Sequence, residues 1–315
     1  MKKVVTIGGG TGHYSLLRGL KNYDVDLTAI VSVYDNGGST GELRTEFGML
    51  APGDIRNCLV ALSDESEIVE LARLFEYRYD GSLNKHNLGN LILKALGDIK
   101  GNMADAIKAA SKILRVKGKV LPVSLDISDL YAKTDTDRLL KGEVEVSYPD
   151  KPDEKERIVQ AWLEPKAHIY GEAAEEVRKS DLIVICPGDL YGSIIPNFLT
   201  KGMNEALQES KAEKLYVCNL VTKQGSYGFS VKDFVNEIHK YSGIMPDHVL
   251  YNTKRPSEEV VDKYKKEASS FVNPDISGLE GIAQGAELLK EQELAGKRVV
   301  RHDSDKIARM IVGIL

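Results

Sequence analysis

The stretch Val4-Val5-Thr6-Ile7-Gly8-Gly9-Gly10-Thr11-Gly12 decides the fold of this chain. It opens with β-branched residues, which are typical of a strand, and the glycines that follow would end that strand. From Thr11 to Lys21, the apolar residues Tyr14, Leu17 and Leu20 recur at helical spacing. The chain is therefore predicted to begin with a strand, a tight turn and a helix.

A second apolar run, Leu27 to Tyr34, ends in another glycine-rich turn, Asp35-Asn36-Gly37-Gly38-Ser39-Thr40-Gly41. The two runs and the helix between them predict a βαβ unit with its two loops at neighbouring strand ends. A carboxylate such as Asp35 at a strand end can meet a ribose hydroxyl or a Mg²⁺ ion. The alternative is an Asx turn closed by Asp35 and Asn36, which explains the turn residues but not the pairing with the first loop.

The first loop matches neither of two familiar nucleotide fingerprints. A GxGxxG pattern starting at Gly8 would need glycine where His13 stands, and a P-loop would need lysine after a glycine. Glycines still let backbone N–H groups approach an anion, and a following helix N-terminus adds a favourable dipole. A tight turn without a ligand is the alternative interpretation.

Three later runs complete a predicted parallel sheet: Asp181–Cys186, Lys214–Asn219 and His248–Asn252. The first is continuously apolar after Asp181, as expected of a strand buried on both faces. Helical periodicity covers residues 54–79 and 87–114, and an amphipathic helix closes the chain at Ser304–Leu315.

The character of the sequence changes between residues 117 and 165. There LPVSLDIS, DLYAKT and LLKGEVEVSY alternate in polarity like exposed strands. We predict an α/β, Rossmann-like, mostly parallel and doubly wound sheet. Its nucleotide-binding core would comprise residues 1–116 and 166–315, and residues 117–165 would form a small β-rich insertion.

Two further strand ends carry polar loops. One is Cys186-Pro187-Gly188-Asp189-Leu190-Tyr191-Gly192-Ser193, and the other is Asn219-Leu220-Val221-Thr222-Lys223-Gln224-Gly225. Together with the first two loops they predict a cleft along the carboxyl edge of the sheet, where open α/β sheets bind ligands.

Two polar clusters open helices elsewhere. In Pro52-Gly53-Asp54-Ile55-Arg56-Asn57, Asp54 is well placed as an N-cap, with a catalytic role as the alternative, whereas Arg56 and Asn57 could face an anion or a sugar. His86 and Asn90 are four residues apart and share a helix face. His86 could act as a general acid or base, or as a structural hydrogen-bonding group.

Composition excludes several classes of protein. The chain has 315 residues with 42 basic and 47 acidic side chains, so its net charge of -5 provides no global attraction to nucleic acid or anionic lipid. Its three cysteines form no metal-ligand spacing and are expected to be buried free thiols. No run approaches the length of a membrane span, and we expect a cytoplasmic protein.

In order along the chain, GGGTG, GGSTGELR, PGDIRNCLVALSD, HNLGN, PGDLYGSIIPN and RHDSDKIA closely resemble the YvcK-type gluconeogenesis factors. These are part of the wider superfamily of 2-phospho-L-lactate transferase (CofD), and the resemblance covers nearly the whole chain. It implies a cleft that binds UDP-sugars such as UDP-N-acetylglucosamine, linked to cell shape and cell-wall synthesis on gluconeogenic carbon sources. In the transferase branch, the same cleft holds a guanosine diphosphate donor, a deazaflavin acceptor and Mg²⁺.

By position, the resemblance implies a set of ligand-binding residues on the loops described above. They are Gly10, Thr11, Gly12, Asp35, Asn36, Gly37, Gly38, Ser39, Asp54, Asn57, His86, Asn90, Gly188, Asp189, Ser193, Asn219 and Arg301. Asp35 and Asp189 are the predicted ligands of a Mg²⁺ ion. The family pattern has two aspartates where this chain has Asp35-Asn36, and a serine where it has Asp189.

Three functions stay open on the sequence alone. The first is a nucleotide-sugar-binding regulator, and the second is a Mg²⁺-dependent phosphotransferase that uses a nucleoside diphosphate donor. The third is an interaction protein whose cleft has lost its ligand. The sequence does not identify a protein partner and is compatible with a homo-oligomer.

Overall fold

The computed structural model describes residues 1–80, 86–149, 156–294 and 296–315. Residues 150–155 of the predicted insertion lie outside the described residues. The three cysteines are buried and free, as expected from their apolar surroundings. No helix in the described part of the chain is both long and apolar enough to span a bilayer.

A seven-stranded, entirely parallel sheet forms the centre of the molecule. Its strands, in spatial order, are β10 (Ala283–Ala286), β9 (His248–Asn252), β8 (Glu213–Val217), β7 (Leu182–Ile185), β1 (Lys2–Gly8), β2 (Val25–Val31) and β3 (Lys119–Pro122). The central strand β7 is buried along its whole length, as its continuous apolar run predicts. The predicted α/β, Rossmann-like architecture is confirmed, and both halves of the chain share one sheet.

The described residues form thirteen α-helices. They are α1 (Gly10–Leu20), α2 (Gly38–Phe47), α3 (Pro52–Leu62), α4 (Glu65–Glu76), α5 (Leu88–Lys100), α6 (Met103–Ile113), α7 (Glu143–Ser147), α8 (Gly171–Lys179), α9 (Ile195–Leu199), α10 (Met203–Glu209), α11 (Val231–Ser242), α12 (Glu258–Lys266) and α13 (Ser304–Val312). α1 packs against α3 and α13, whereas α8, α9, α10 and α11 pack among themselves. Apolar helix faces such as Leu16, Leu17 and Leu20 of α1 are buried in the core.

The register of the central strands sets the position of the loops. Val4 of β1 pairs with Leu182 of β7 on one side and with Leu27 of β2 on the other. The three strands consequently end at the same level, and Ser32 N–H donates to the Gly8 carbonyl at 2.8 Å. The loops that follow β1, β2 and β7 therefore meet at one edge.

The small antiparallel insertion contains β5 (Leu139–Lys141), β4 (Asp129–Thr134) and β6 (Ile158–Glu164), in that spatial order. A separate hairpin, β11 (Leu289–Leu294) with β12 (Lys297–His302), precedes α13. Within the stretch 117–165, β3 is the edge strand of the central sheet. The exact partition into core and insertion stays a prediction.

The interpretation of LLKGEVEVSY as a single strand is wrong. Only Leu139–Lys141 is extended, and Glu143–Ser147 forms the short helix α7. The Val144 N–H donates to Asn36 Oδ1 at 3.0 Å, and Val146 is completely buried. These tertiary contacts override the alternating pattern and place α7 beside the carboxyl edge of the central sheet.

Candidate functional site at the carboxyl edge of the sheet

A cleft of about 720 Å³, which we call the main cleft, is lined by residues of all four predicted loops. It is bounded by the loops after β1, β2, β7 and β8, by α7, and by residues 299–302 of β12. Its volume lies within the range of small-molecule sites, about 300–1,000 Å³. The predicted cleft along the carboxyl edge of the sheet is present.

The first loop packs tightly against the loop after β7 at the N-terminus of α1. Gly10 has a φ of 67°, and a Cβ on Gly12 would lie 2.0 Å from the Pro187 carbonyl oxygen. Only glycine allows the loops after β1 and β7 to approach so closely. The N-cap residue Gly9 provides no side-chain hydrogen bond to α1, and the first turn of this helix faces the main cleft through Gly10, Thr11 and Gly12.

The prediction that Asp54 caps α3 is wrong. The N-cap of that helix is Ala51, and Asp54 lies within the first turn. Its carboxylate instead accepts a hydrogen bond from Gly10 N–H at 2.8 Å. Asp54 therefore joins the α3 N-terminus to the first loop across the sheet edge.

Acidic side chains crowd one wall of the main cleft. Burial, and then the charge of Asp35, raises the pKa of Asp54 to about 6. Burial, followed by the charges of Asp189 and Asp35, raises the pKa of Glu143 on α7 to about 7. Burial also raises the pKa of Asp35, although the Gly37 N–H donates to its Oδ1 at 2.7 Å. Repulsion among these carboxylates would be relieved by a proton or a cation.

A lysine faces this acidic wall from the fourth loop. Lys223 Nζ lies 3.2 Å from Asp189 Oδ2 and 4.1 Å from the centre of the Tyr148 ring, whose hydroxyl it also contacts. Burial opposes the lysine charge, but Asp189 and Tyr148 outweigh it and raise the pKa of Lys223. Lys263 and Arg301 add two more cationic side chains to the same cleft.

A second, smaller cavity of about 270 Å³ adjoins the main cleft, and we call it the side pocket. It shares Asp35 and Asp54 with the main cleft. Its other walls come from three sets of residues: Gly37–Thr40 at the start of α2; Gly53, Arg56 and Asn57 of α3; and Arg78 with Asn90.

The structure distributes the predicted ligand residues over these cavities. Those that line the main cleft are Gly10, Thr11, Gly12, Asp35, Asp54, Gly188, Asp189, Ser193, Asn219 and Arg301. Those that line the side pocket without reaching the main cleft are Gly37, Gly38, Ser39, Asn57 and Asn90. Asn36 and His86 line neither and face a neighbouring surface cavity with Arg44. The residues predicted to form a single cleft therefore lie in three separate cavities. Ligand binding by these residues stays a prediction.

His86 belongs to a short polar chain at this boundary. Its Nδ1 lies 3.0 Å from Ser39 Oγ, and its Nε2 lies 3.4 Å from a carboxylate oxygen of Glu42. Such an arrangement fits either a structural anchor for the second loop or a proton acceptor for Ser39. Both interpretations of His86 stay open.

Sequence reasoning missed Glu143 and Tyr148 as cleft residues. Both belong to the segment that alternates like a strand, so no local pattern marked them as part of a site. Lys223 lies in a loop that was recognised, but its contact with Asp189 depends on the tertiary approach of two loops. Arg56, predicted to face an anion or a sugar, lines the side pocket.

The side chains that line the main cleft determine whether it could hold the predicted Mg²⁺ ion. In the described ranges of the chain, no three or more His, Cys, Asp or Glu side chains converge as a metal site. Mg²⁺ bound beside phosphates commonly takes only one or two protein carboxylates. Asp35 fits such a role, whereas Asp189 already pairs with Lys223 and accepts the Gly192 N–H at 2.8 Å. Metal binding by Asp35 and Asp189 stays a prediction.

A family model described as 2-phospho-L-lactate transferase CofD matches residues 4–294 of the chain. The chain belongs to the CofD family. Within this family, it is 42% identical to a putative gluconeogenesis factor of Thermotoga maritima over 98% of both chains. It is 39% identical to the gluconeogenesis factor of Bacillus subtilis, covering 99% of this chain and 98% of that one.

A solved structure has the same fold over nearly the whole chain. The crystal structure of a Bacillus halodurans protein matches with a TM-score of 0.91 and 38% identity, covering 99% of each chain. The resemblance to YvcK-type gluconeogenesis factors, expected from GGGTG, PGDIRN and HNLGN, is confirmed across the full length.

Proposed function

We propose that this chain binds a UDP-sugar in the main cleft and acts in the cytoplasm as a regulator of cell shape and cell-wall synthesis during gluconeogenic growth. One observation carries the binding part of the proposal. The N-terminus of α1, whose Gly10 N–H donates to Asp54, opens into a cleft of suitable volume that also contains Lys223, Lys263 and Arg301.

A diphosphate matches this arrangement in charge and shape. Backbone N–H groups in the first turn of a helix have no partner within the helix, and the helix dipole favours an anion there. The close approach of Gly12 to Pro187 keeps both loop backbones within reach of one ligand. Lysine and arginine on the opposite wall would neutralise the remaining phosphate charge. The relatives support the regulatory part of the proposal, because they are named gluconeogenesis factors.

Calorimetric titration with UDP-N-acetylglucosamine, UDP and GDP, with and without Mg²⁺, tests the proposal. We expect one site per chain, with the UDP-sugar bound more tightly than GDP. Absence of binding at millimolar ligand, by protein with a cooperative thermal transition, would overturn the proposal. Tighter binding of GDP would favour the transferase branch of the family.

A second candidate function is phosphotransfer from a nucleoside diphosphate donor. It is favoured by the near-neutral pKa values of Asp54, about 6, and Glu143, about 7, which let either carboxyl hold or release a proton at neutral pH. Mg²⁺, when bound, would neutralise charge on the transferred group. Asp35→Asn is expected to abolish metal-dependent turnover, and unchanged turnover in that variant would reject Asp35 as a ligand.

A further inference from the structure

We propose that a pocket beyond the main cleft binds a small organic carboxylic acid with an apolar body. This cavity of about 350 Å³, which we call the distal pocket, lies at the carboxyl ends of β8 and β9. Its walls come from the loop after β8, the start of α11, the loop after β9 and residues 271–274. Open α/β sheets bind ligands in crevices at this edge.

The charge of the distal pocket differs from that of the cavities described above. Lys254 and Arg255 line it, and no aspartate or glutamate of the described chain does. The main cleft, the side pocket and the surface cavity beside Arg44 all contain carboxylates. In a chain of net charge -5, a cavity with two cations and no acid favours an anionic ligand.

Arg255 is available to hold that anion. It is exposed at the rim of the pocket and makes no ion pair or hydrogen bond with another described residue. A planar guanidinium group can donate two parallel hydrogen bonds to one carboxylate. Lys254 is also exposed and would add a second charge without a fixed geometry. The arrangement therefore suits a carboxylate at the rim.

The rest of the distal pocket offers apolar surface to the body of the ligand. Leu220 and Val231 are buried, whereas Tyr251, Phe271 and Val272 stay partly exposed around the cavity. A ligand that covers these side chains removes their apolar surface from water, which is favourable. At about 30 Å³ for each water-sized group, the pocket holds on the order of ten non-hydrogen atoms. This size suits an aromatic ring with a short acidic side chain.

The walls of the distal pocket are held by hydrogen bonds within the protein. The Val272 N–H donates to the Leu220 carbonyl at 3.1 Å. In the loop after β9, the Asn252 side chain accepts the Lys254 N–H at 3.2 Å and donates to the Lys254 carbonyl at 2.7 Å. Arg255 therefore follows a segment of defined shape. A pocket whose walls are already ordered loses less conformational entropy when a ligand binds.

Apolar side chains lie between the distal pocket and the main cleft. Leu220 lines both cavities, and the Phe271 ring packs against the Tyr264 ring of the main cleft, with 5.4 Å between the ring centres. Asn219 also lines both, but its side-chain amide already donates to the Gly188 carbonyl. The acid is therefore expected to bind beside the main cleft and not in it.

Calorimetric titration of the full chain with 3-phenylpropionate, 3-phenylpropanamide and acetate tests the proposal without any nucleotide. We expect 3-phenylpropionate to bind at one site. The neutral amide should bind at least about tenfold more weakly, because it cannot form the charge-assisted hydrogen bonds. Acetate should also bind at least about tenfold more weakly, because it lacks the apolar body. Absence of 3-phenylpropionate binding at about 10 mM by cooperatively folded protein, or equal binding of the amide, would overturn the proposal.

Matched variants locate the site. Arg255→Met is expected to weaken 3-phenylpropionate binding by at least about tenfold, from the loss of a charge-assisted hydrogen bond. Asn273→Trp, at an exposed position that lines the distal pocket, should block the cavity while leaving Arg255 in place. Arg73→Met, which removes an arginine whose side chain is 70% exposed on α4, should leave binding unchanged. Binding that is unchanged in both pocket variants would reject the proposal, and its loss in Lys223→Met would then place the acid in the main cleft.

Discussion

The main cleft and the side pocket lie against the same acidic wall but use different means to attract an anion. The main cleft combines one helix N-terminus, where Asp54 accepts the Gly10 N–H, with the spaced cations Lys223, Lys263 and Arg301 in about 720 Å³. The side pocket has two open helix N-termini and a pair of interacting arginines in about 270 Å³. Spaced donors in a long cleft suit an extended diphosphate, whereas clustered donors in a small cavity suit one compact group.

The shared wall explains why the two compartments are distinct. Asp54 bonds the Gly10 N–H, and Asp35 bonds the Gly37 N–H, so each carboxylate is attached to one of the glycine loops. These carboxylates would repel a single ligand that spans both cavities.

The substitution with the largest expected effect is Gly12→Ala. Its Cβ would lie 2.0 Å from the Pro187 carbonyl oxygen, so the loops after β1 and β7 must separate. We expect a loss of about 1–3 kcal/mol in the free energy of unfolding, as for other overpacked sites. UDP-sugar binding, measured by calorimetry, should fall at least about tenfold, since the first loop moves away from its ligand.

Gly171→Ala provides the matched control for that variant. Gly171 is the first residue of α8, and a Cβ there would meet nothing within 4 Å. Thermal unfolding and nucleotide titration should be nearly unchanged. If both alanine variants lost UDP-sugar affinity equally, the close contact at Gly12 would not be the cause.

Glu143→Gln should have the next largest effect, and it depends on pH. A carboxyl whose folded pKa is raised from 4.5 to about 7 binds more protons in the folded state, so its ionisation destabilises the fold as pH rises from 4.5 to 7. The variant should match the wild type below pH 4.5 and exceed it by up to about 3 kcal/mol above pH 7.

Denaturant unfolding of both proteins at pH 4.5, 6 and 8 measures this difference. Comparing the two proteins cancels the opposite pH dependence of His13 and His302, whose pKa values burial lowers to about 4. A difference that does not change with pH would mean that Glu143 is not forced to ionise in a crowded site.

The smallest expected effect is that of Lys223→Met. The variant removes a cation from the main cleft while keeping much of the apolar side chain against Tyr148. We expect UDP-sugar affinity to fall by about tenfold, the usual cost of one charge-assisted hydrogen bond to phosphate. Unchanged UDP-sugar affinity in this variant would show that Lys223 does not contact the diphosphate.

Much of the fold could be predicted because its signals are local. The apolar run of β7, the β-branched start of β1 and the glycine loops each specify one element and its end. Open parallel sheets then place such loops at one edge, which is why Gly12, Asp35 and Asp189 could be predicted to share a cleft.

The remaining features depend on contacts between distant residues. The side chain of Asn36 accepts a hydrogen bond from the Val144 N–H, 108 positions away. This contact holds α7 in a position where Glu143 lies at the acidic wall of the main cleft. Asp54 looked like a helix cap because its position in the sequence allows that role, and only the approach of Gly10 gives it another partner. The division between main cleft and side pocket likewise depends on where the fold places Asp35 and Asp54, which line both cavities.

A crystal structure of the protein with UDP-N-acetylglucosamine tests the central claim most directly. The account predicts the diphosphate between the first turn of α1 at Gly10–Gly12 and the side chains of Lys223 and Arg301, with Asp35 and Asp54 separating it from the side pocket. A diphosphate bound instead between Arg56 and Arg78, or a nucleotide bound away from the carboxyl edge of the sheet, would contradict it.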